Sequence, residues 1–290
     1  MSRLTCPICK SSTTPAGTAR GSRTGRDFTL RSCDSCGFAY VENPWTDYAQ
    51  IYDEAYYAGR GSDPLVDYAF EFQADASTVR AYEWRGWDQL VHQLKPAPVK
   101  WLDFGCGCGT LVRFIHGLKK DEIFGYDTGA WAAKARDSGL PILTEAELSK
   151  HAGTFDIVTA IDVIEHVVEP LEMLAHCRRL LKPGGILIPI TGNAEIVLRA
   201  KLASWSYVRP EIHVSFFTPP ALSRALALTG FSPLPLPRGR GWHDILRARI
   251  LKNLHIKRRS LVEQLLPWSL LSPLADSRYK MGRLPIGQAI

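Results

Sequence analysis

A hydrophobic run, "VKWLDF", carries Asp103 next to its end and passes at once into Gly105, Gly107 and Gly109, with single residues between the glycines. Glycines this close together let the main chain turn through left-handed torsions and let a ligand lie directly against it. Two phosphate-binding arrangements do not fit. The dinucleotide pattern Gly-x-Gly-x-x-Gly would put its third glycine where Thr110 stands, and a phosphate loop would need Gly-Lys-Ser/Thr. A carboxylate beside the turn repels a pyrophosphate but suits an ammonium or a sulfonium. The next such run, "IFGYD", ends in Asp127, 24 residues after Asp103. A carboxylate at that place can accept both hydroxyls of a ribose. A nucleoside with no phosphate and a cationic amino-acid tail satisfies all three features. The expected ligand is S-adenosyl-L-methionine, held by Asp103, Gly105, Gly107, Gly109 and Asp127.

Cys6, Cys9, Cys33 and Cys36 form two Cys-x-x-Cys pairs, "CPIC" and "CDSC", with 23 residues between them. Each pair turns two sulfurs toward one point, and two such turns facing each other make the four-thiolate set of a structural Zn2+. Four thiolates close the coordination shell, so this metal is expected to stabilise the segment rather than react. The remaining cysteines read as packing residues: Cys106 and Cys108 fill the tight turn, and Cys177 belongs to the core. Acid–base chemistry is offered by "DVIEH", with Asp162, Glu165 and His166, and by "EIHVSFF", with Glu211 and His213. Histidine is the side chain whose ordinary pKa lies nearest neutrality.

The elements that must position these residues follow from hydrophobic spacing. Strands are expected at 99–104, 122–127, 140–143, 155–161 and 184–191, with helices at 109–118, 129–138, 145–151 and 168–181 between them. Such alternation implies an α/β, doubly wound Rossmann-like fold whose parallel sheet is covered on both faces. Both histidine stretches then follow strands at the edge where such sheets bind ligands. A helix at 219–229, a strand near 231–236 and a closing strand in "LPIGQAI" complete the pattern. Residues 65–94 carry helical spacing, and the polar "SSTTPAGTARGSRTGRD" between the cysteine pairs reads as a loop.

Composition sets outer bounds. The chain has 290 residues, 46% hydrophobic and 22% charged, which suits a globular protein with one full-sized core. No apolar run approaches the roughly 18 residues of a membrane span. The start, "MSRLTCPICK", has no apolar signal core, so a cytoplasmic location is expected. Charge is uneven: residues 238–290 hold eleven Lys/Arg against three Asp/Glu, while the rest is close to neutral. In this segment Trp242, Leu246, Ile250 and Leu254 recur every four residues and form the expected apolar stripe of a basic helix over 242–262. That helix either packs over the acceptor pocket or makes peripheral contact with an anionic membrane.

The sequence resembles the class I S-adenosylmethionine-dependent methyltransferases over about residues 99–231. The resemblance rests on "LDFGCGCG", "FGYDTGAWAAKAR", "FDIVTAIDVIEHVVEPLEML", "LLKPGGILIPIT" and "HVSFFTPPALSRALALTGF", in that order. It implies a seven-stranded sheet whose last strand is antiparallel, with Ile161 and Asp162 lining the reaction end. In the small-molecule branch of this family, histidines matching His166 and His213 lie at or near the acceptor pocket, which makes His213, His166 and Asp162 the candidate catalytic residues. In ubiquinone-type O-methyltransferases an acid-x-x-Glu-His cluster is linked to a divalent metal; Asp162, Glu165 and His166 match it, with Asp in place of Glu at its head. Tyr52, Tyr56 and Tyr57 match tyrosines that fold over the cofactor in similar enzymes, or else pack between ribbon and core.

The expected organisation is a zinc ribbon at 1–40, an aromatic connector with helices at 41–98, and a methyltransferase domain at 99–290 with a basic helical insertion near 240–280. A four-cysteine ribbon leading into this domain resembles bacterial enzymes that modify sugars, polysaccharides and secondary metabolites, so a small-molecule or glycan acceptor is expected. The alternatives are a zinc-ribbon RNA methyltransferase, in which Arg20, Arg23, Arg26 and Arg31 would grip phosphate, a ubiquinone-type O-methyltransferase, and a non-catalytic cofactor-binding module.

Overall fold

The computed structural model describes residues 4–63, 65–74, 76–197 and 199–290. The polar stretch between the cysteine pairs is not only a loop. It contains β1 (Thr14–Arg20), which pairs antiparallel with β2 (Asp27–Ser32), itself paired with β3 (Ala39–Val41). An irregularity at Pro15/Gly17 spaces the inward residues Ala16 and Ala19 three apart. That spacing erases the period of two by which strands are read.

Three helices follow: α1 (Glu54–Tyr57), α2 (Tyr68–Gln73) and α3 (Arg80–Leu94). The helical spacing of 65–94 is therefore split. Ala74 is extended, and the amide of Val79 and hydroxyl of Thr78 bond the Lys257 carbonyl oxygen instead of continuing a helix.

From β4 (Lys100–Phe104) onward strands and helices alternate: α4 (Thr110–Leu118), β5 (Glu122–Tyr126), α5 (Ala130–Asp137), β6 (Ile142–Leu143), α6 (Glu145–Leu148), β7 (Phe155–Ile161), α7 (Pro170–Leu180) and β8 (Leu181–Ile190). Adjacent Trp101 and Leu102 of β4 are both fully buried, as befits a strand covered on both faces. Trp101 packs with Ile157, Ile186 and Ile188 on one side of the sheet, Leu102 with Val158, Ala160 and Leu187 on the other. The chain continues through β9 (Ser215–Phe216), α8 (Pro219–Leu228), β10 (Phe231–Pro235), α9 (Arg240–Asn253), α10 (Leu261–Gln264), α11 (Trp268–Tyr279) and β11 (Pro285–Ala289).

The large sheet has seven strands in the order β10-β11-β8-β7-β4-β5-β6, with β11 antiparallel to both neighbours. The order reverses at β4, between β5 and β7, which opens a crevice at the carboxyl ends of β4 and β7. The small sheet is completed by β9, which pairs with β3.

The basic segment departs from the expected stripe. α9 ends at Asn253; its buried face is Trp242, Ile245, Leu246, Ala248 and Leu251, whereas Leu254 is 63% exposed. A spacing of four overshoots a 3.6-residue turn, so a strict four-residue row winds off the buried face. α9 crosses α3 where Gly86 and Gly241 meet: a Cβ on either would come within 2.5 Å of the other's carbonyl oxygen. Among the described residues no helix is long and apolar enough to cross a membrane.

Candidate active site

A cavity of about 510 Å3 lies at the carboxyl ends of β4 and β7, under the α3–α9 pair. That is a normal size for a small-molecule site. Its first end is built on the glycine turn. Gly105, Gly107 and Gly109 have φ of +78°, +57° and +73°, values that side-chain-bearing residues adopt only under strain. A Cβ on Gly105 would also stand 2.4 Å from Cγ2 of Val163. Gly105→Ala is therefore expected to cost about 2–3 kcal/mol, the size of a combined backbone and packing defect, read as a lower unfolding midpoint in urea.

Asp103 ends up 5% exposed beside this turn, accepting a hydrogen bond from Thr159 Oγ1 at 2.8 Å. Burial pushes its carboxyl up to about 7, helped by the Asp127 and Glu83 carboxylates and opposed by the Thr159 hydroxyl. Glu71 and Glu83, also buried, line the same end. They share one cation: Arg80 Nη1 lies 2.6 Å from Glu83, and Arg80 Nε 3.6 Å from Glu71. Three buried carboxyls gathered at one end of the cavity suit a ligand that carries positive charge.

Asp127 does not border the cavity. Its carboxylate accepts from the amides of Gly107 at 2.9 Å and Gly129 at 2.7 Å. Tyr57 and Tyr68, stacked with centroids 5.4 Å apart, pack over this place: a Cβ on Gly107 would touch the Tyr68 hydroxyl, and one on Gly129 the Tyr57 hydroxyl. Tyr56 lines the cavity itself, while the Tyr52 hydroxyl lies 3.1 Å from His166 Nδ1.

The opposite end gathers Ile161, Asp162, Glu165, His166 and His213. Asp162 holds φ +54°, and both its oxygens accept from Arg249 Nη2, at 3.1 and 3.0 Å. The acid-x-x-Glu-His pattern is thus not the convergent set. At this end of the cavity it is Glu165, His166 and His213 whose ligand atoms lie within 4.8 Å of one another. Glu165 is buried, accepts from the Tyr207 hydroxyl, and is pushed up by burial and by Asp162. The two histidine rings stand 4.8 Å apart, and burial lowers both pKa values. His213 Nδ1 is 2.6 Å from the Tyr207 carbonyl oxygen, which can only accept. The proton therefore sits on Nδ1, and Nε2 keeps its lone pair.

Glu211 serves elsewhere. Its carboxylate accepts from the amides of Arg23 and Thr24 and the hydroxyls of Ser22 and Ser62, fixing the turn after β1. Cys108 in the glycine turn is buried and pushed up to about 12, and Cys106 is also raised by burial, as unreactive thiols are. Spacing did not reveal Glu71, Arg80, Glu83, Tyr207 or Arg249 as site residues. The one local signal was Arg80 three residues before Glu83, a helical ion-pair spacing.

At the small sheet the four paired cysteines converge. Cys6 Sγ and Cys36 Sγ are 3.6 Å apart, Cys9 Sγ and Cys33 Sγ 3.4 Å, and all four sulfurs lie within 4.8 Å of one another. Zinc–thiolate bonds of about 2.3 Å in a tetrahedron require sulfur separations of about 3.8 Å. The set fits that geometry after small adjustments.

Comparison with known proteins agrees with this architecture. The family described as "Methyltransferase domain" matches residues 79–236. The Ubiquinone biosynthesis O-methyltransferase of Burkholderia multivorans is 32% identical over 143 residues, 40% of this chain and 60% of that protein. That of Caulobacter vibrioides is 38% identical over 101 residues, 32% and 40% of the two chains. The chain thus spans at most about three-fifths of the length of these relatives. Among solved structures, the 1,6-didemethyltoxoflavin-N1-methyltransferase of Burkholderia thailandensis covers 72% of this chain and 92% of its own, at 18% identity and TM-score 0.45. The family match takes in more than half of the residues, the glycine turn and β4 to β10 included: the chain belongs to the methyltransferase-domain family.

Proposed function

We propose that the chain is a class I S-adenosylmethionine-dependent methyltransferase that acts on a hydroxyl of a small molecule, a saccharide or secondary-metabolite precursor, with His213 as the base. The observation that carries the proposal is one cavity lined both by the buried carboxyls of Asp103, Glu71 and Glu83 and by two histidine rings 4.8 Å apart, His213 with its Nδ1 on the Tyr207 carbonyl. S-adenosyl-L-methionine, when bound, supplies an electrophilic methyl carbon on a sulfonium that leaves without acid assistance. Asp103, Glu71 and Glu83 would balance its positive groups and Arg80 its carboxylate. Gly105, Gly107 and Gly109 would let it lie against the main chain, Asp127 would take the ribose, and Ile161 and Asp162 would border the reacting end.

The chain's remaining work is to orient the acceptor and receive its proton. Orientation alone is worth up to roughly 7–11 kcal/mol of barrier. His213, uncharged and with its Nδ1 proton on the Tyr207 carbonyl, receives the proton at Nε2. His166, in ring contact with it, and Tyr207 shape the pocket around that atom. The relatives named for O-methylation support a hydroxyl acceptor. An RNA acceptor has less support: Arg20, Arg23 and Arg31 pair with Asp27, Asp53 and Glu42, and Arg26 lies over Phe28 and Trp45. A structural Zn2+ on Cys6, Cys9, Cys33 and Cys36 belongs to the same reading. So does the division into a ribbon at 1–40, a connector at 41–98 and a catalytic domain from 99 that carries the basic insertion.

The test is transfer of labelled methyl from S-adenosylmethionine to separated glycan, lipid and RNA fractions. Label in small glycans or metabolites is expected, and label confined to nuclease-sensitive material would count against the proposal. His213→Gln is expected to slow turnover about 10²–10⁴-fold, the usual worth of a positioned base, while S-adenosylhomocysteine affinity stays within about twofold. Loss of both together would make His213 structural.

A further inference from the structure

The leucines of the C-terminal helices face outward. Leu261 is 79% exposed, Leu265 85%, Leu266 40%, Leu270 64% and Leu274 66%, with Leu254 at 63%. These six, all within 254–274, make up most of the large exposed apolar side chains of the described chain. Leu266, Leu270 and Leu274 recur every four residues and continue onto exposed Arg278. An apolar row of this extent on a protein surface marks an interaction site.

Charge names the occupant. Residues 254–283 hold six Lys/Arg and two acids, and both acids are turned inward. Glu263 is 3% exposed, pairs with Arg247 and accepts from the Tyr82 hydroxyl. Asp276 accepts from the Gly282 amide and lies 3.7 Å from Arg238. Lys257 and Arg283 reach Asp67 and Glu195 but keep more than half of their side-chain surface exposed. Arg258 is exposed with only the Ser77 hydroxyl and the Phe70 ring beside it. Leucines projecting among cations, with the local acids withdrawn, complement a surface that offers hydrocarbon beneath negative headgroups.

We propose that α10, α11 and the turn before them dock this enzyme on an anionic lipid bilayer. The leucines enter the acyl boundary and the lysines and arginines meet the headgroups. Ala275, next to Leu274, lines the same cavity, so the docked face adjoins it. The docking stands apart from the choice of acceptor and does not need it.

Co-sedimentation of the full chain with vesicles of phosphatidylcholine, alone or mixed with phosphatidylglycerol, tests this. Binding is expected to be at least about tenfold stronger to the mixed vesicles and to fall with salt, as headgroup attraction requires. Leu265→Glu with Leu270→Glu is expected to reduce it about tenfold or more, since each change removes an inserted apolar group. Both residues are exposed, so circular dichroism and S-adenosylhomocysteine affinity should be unchanged. No binding to mixed vesicles at low salt would overturn the proposal, as would binding indifferent to the leucines. A dimer in light scattering that the same changes make monomeric would assign the face to a second copy instead.

Discussion

Asp103→Asn is expected to weaken S-adenosylhomocysteine binding by about 100-fold or more while leaving the free protein as stable as the parent, or more stable, at pH 8. The two effects have opposite signs because one carboxylate causes both. In the free protein Asp103 is buried near the Arg80 ion pairs with Glu71 and Glu83, and has its carboxyl pushed up to about 7 by that burial. The folded state therefore holds the proton to higher pH than the unfolded chain, whose carboxyl titrates near 4. Stability of the free protein is greatest below pH 4 as far as this group is concerned, falls as pH rises from 4 to 7, and stays at its reduced level above. The loss is on the order of 4 kcal/mol at most, at 1.36 kcal/mol per pKa step. Asparagine keeps the acceptor for the Thr159 hydroxyl and removes the penalty.

Ligand binding responds the other way. The ionised carboxylate is the form that holds an ammonium, so affinity should climb about tenfold between pH 6 and pH 8 and then level off. The asparagine variant should show a flat profile. Removing one partner of a buried charge pair costs about 2–5 kcal/mol, the source of the 100-fold figure. Calorimetric titrations of both proteins across this pH range, with thermal unfolding alongside, read all of it. A parent affinity independent of pH, or a variant that binds as the parent does, would remove Asp103 from the donor site and with it the charge argument for the whole cavity.

What could be read before the structure follows the range of the interactions involved. The glycine turn and the strand ends that carry Asp103 and Asp127 are legible because turn geometry and strand ends are local properties of the chain. The strands of the large sheet are legible because Trp101–Leu102 and their neighbours are buried on both faces and read as continuous hydrophobic runs. The partners were not legible, because they arrive through tertiary packing. Arg80 and Glu83 come from a helix ahead of the sheet, and Arg249 reaches Asp162 from 87 residues away. Glu211 looked like a site acid, yet it satisfies amides near Arg23, 188 residues distant. β1 escaped because one irregularity at Gly17 replaced alternation by a spacing of three. The row Trp242, Leu246, Ile250, Leu254 misled because its last member had wound round to solvent.

Stripping zinc from the folded protein, or replacing Cys36 with serine, is expected to damage the active site from a distance. Cys6, Cys33, Cys36, Phe38 and Tyr40 belong to the same core as Leu102, Phe217, Ala221 and Leu222, and the Phe38 and Phe217 rings are 4.8 Å apart. β3 pairs with β9, and the Val41 amide donates to the Val214 carbonyl at 2.9 Å, one residue from His213. The cysteine knuckles thus brace the strand that follows the candidate base. A closed thiolate site contributes its binding energy to folding. A loss of about 3–5 kcal/mol would lower the unfolding temperature by about 5–8 °C for a chain of this size. Methyl transfer should fall more than tenfold, beyond the loss of S-adenosylhomocysteine affinity, because α2, α3 and the glycine turn build the donor end without the ribbon strands. Metal analysis should find one zinc per chain in the untreated protein, and restoring zinc should restore activity. A chain purified without zinc that melts and turns over like the loaded one would show that the four sulfurs converge for packing alone, and that His213 is held by the large sheet.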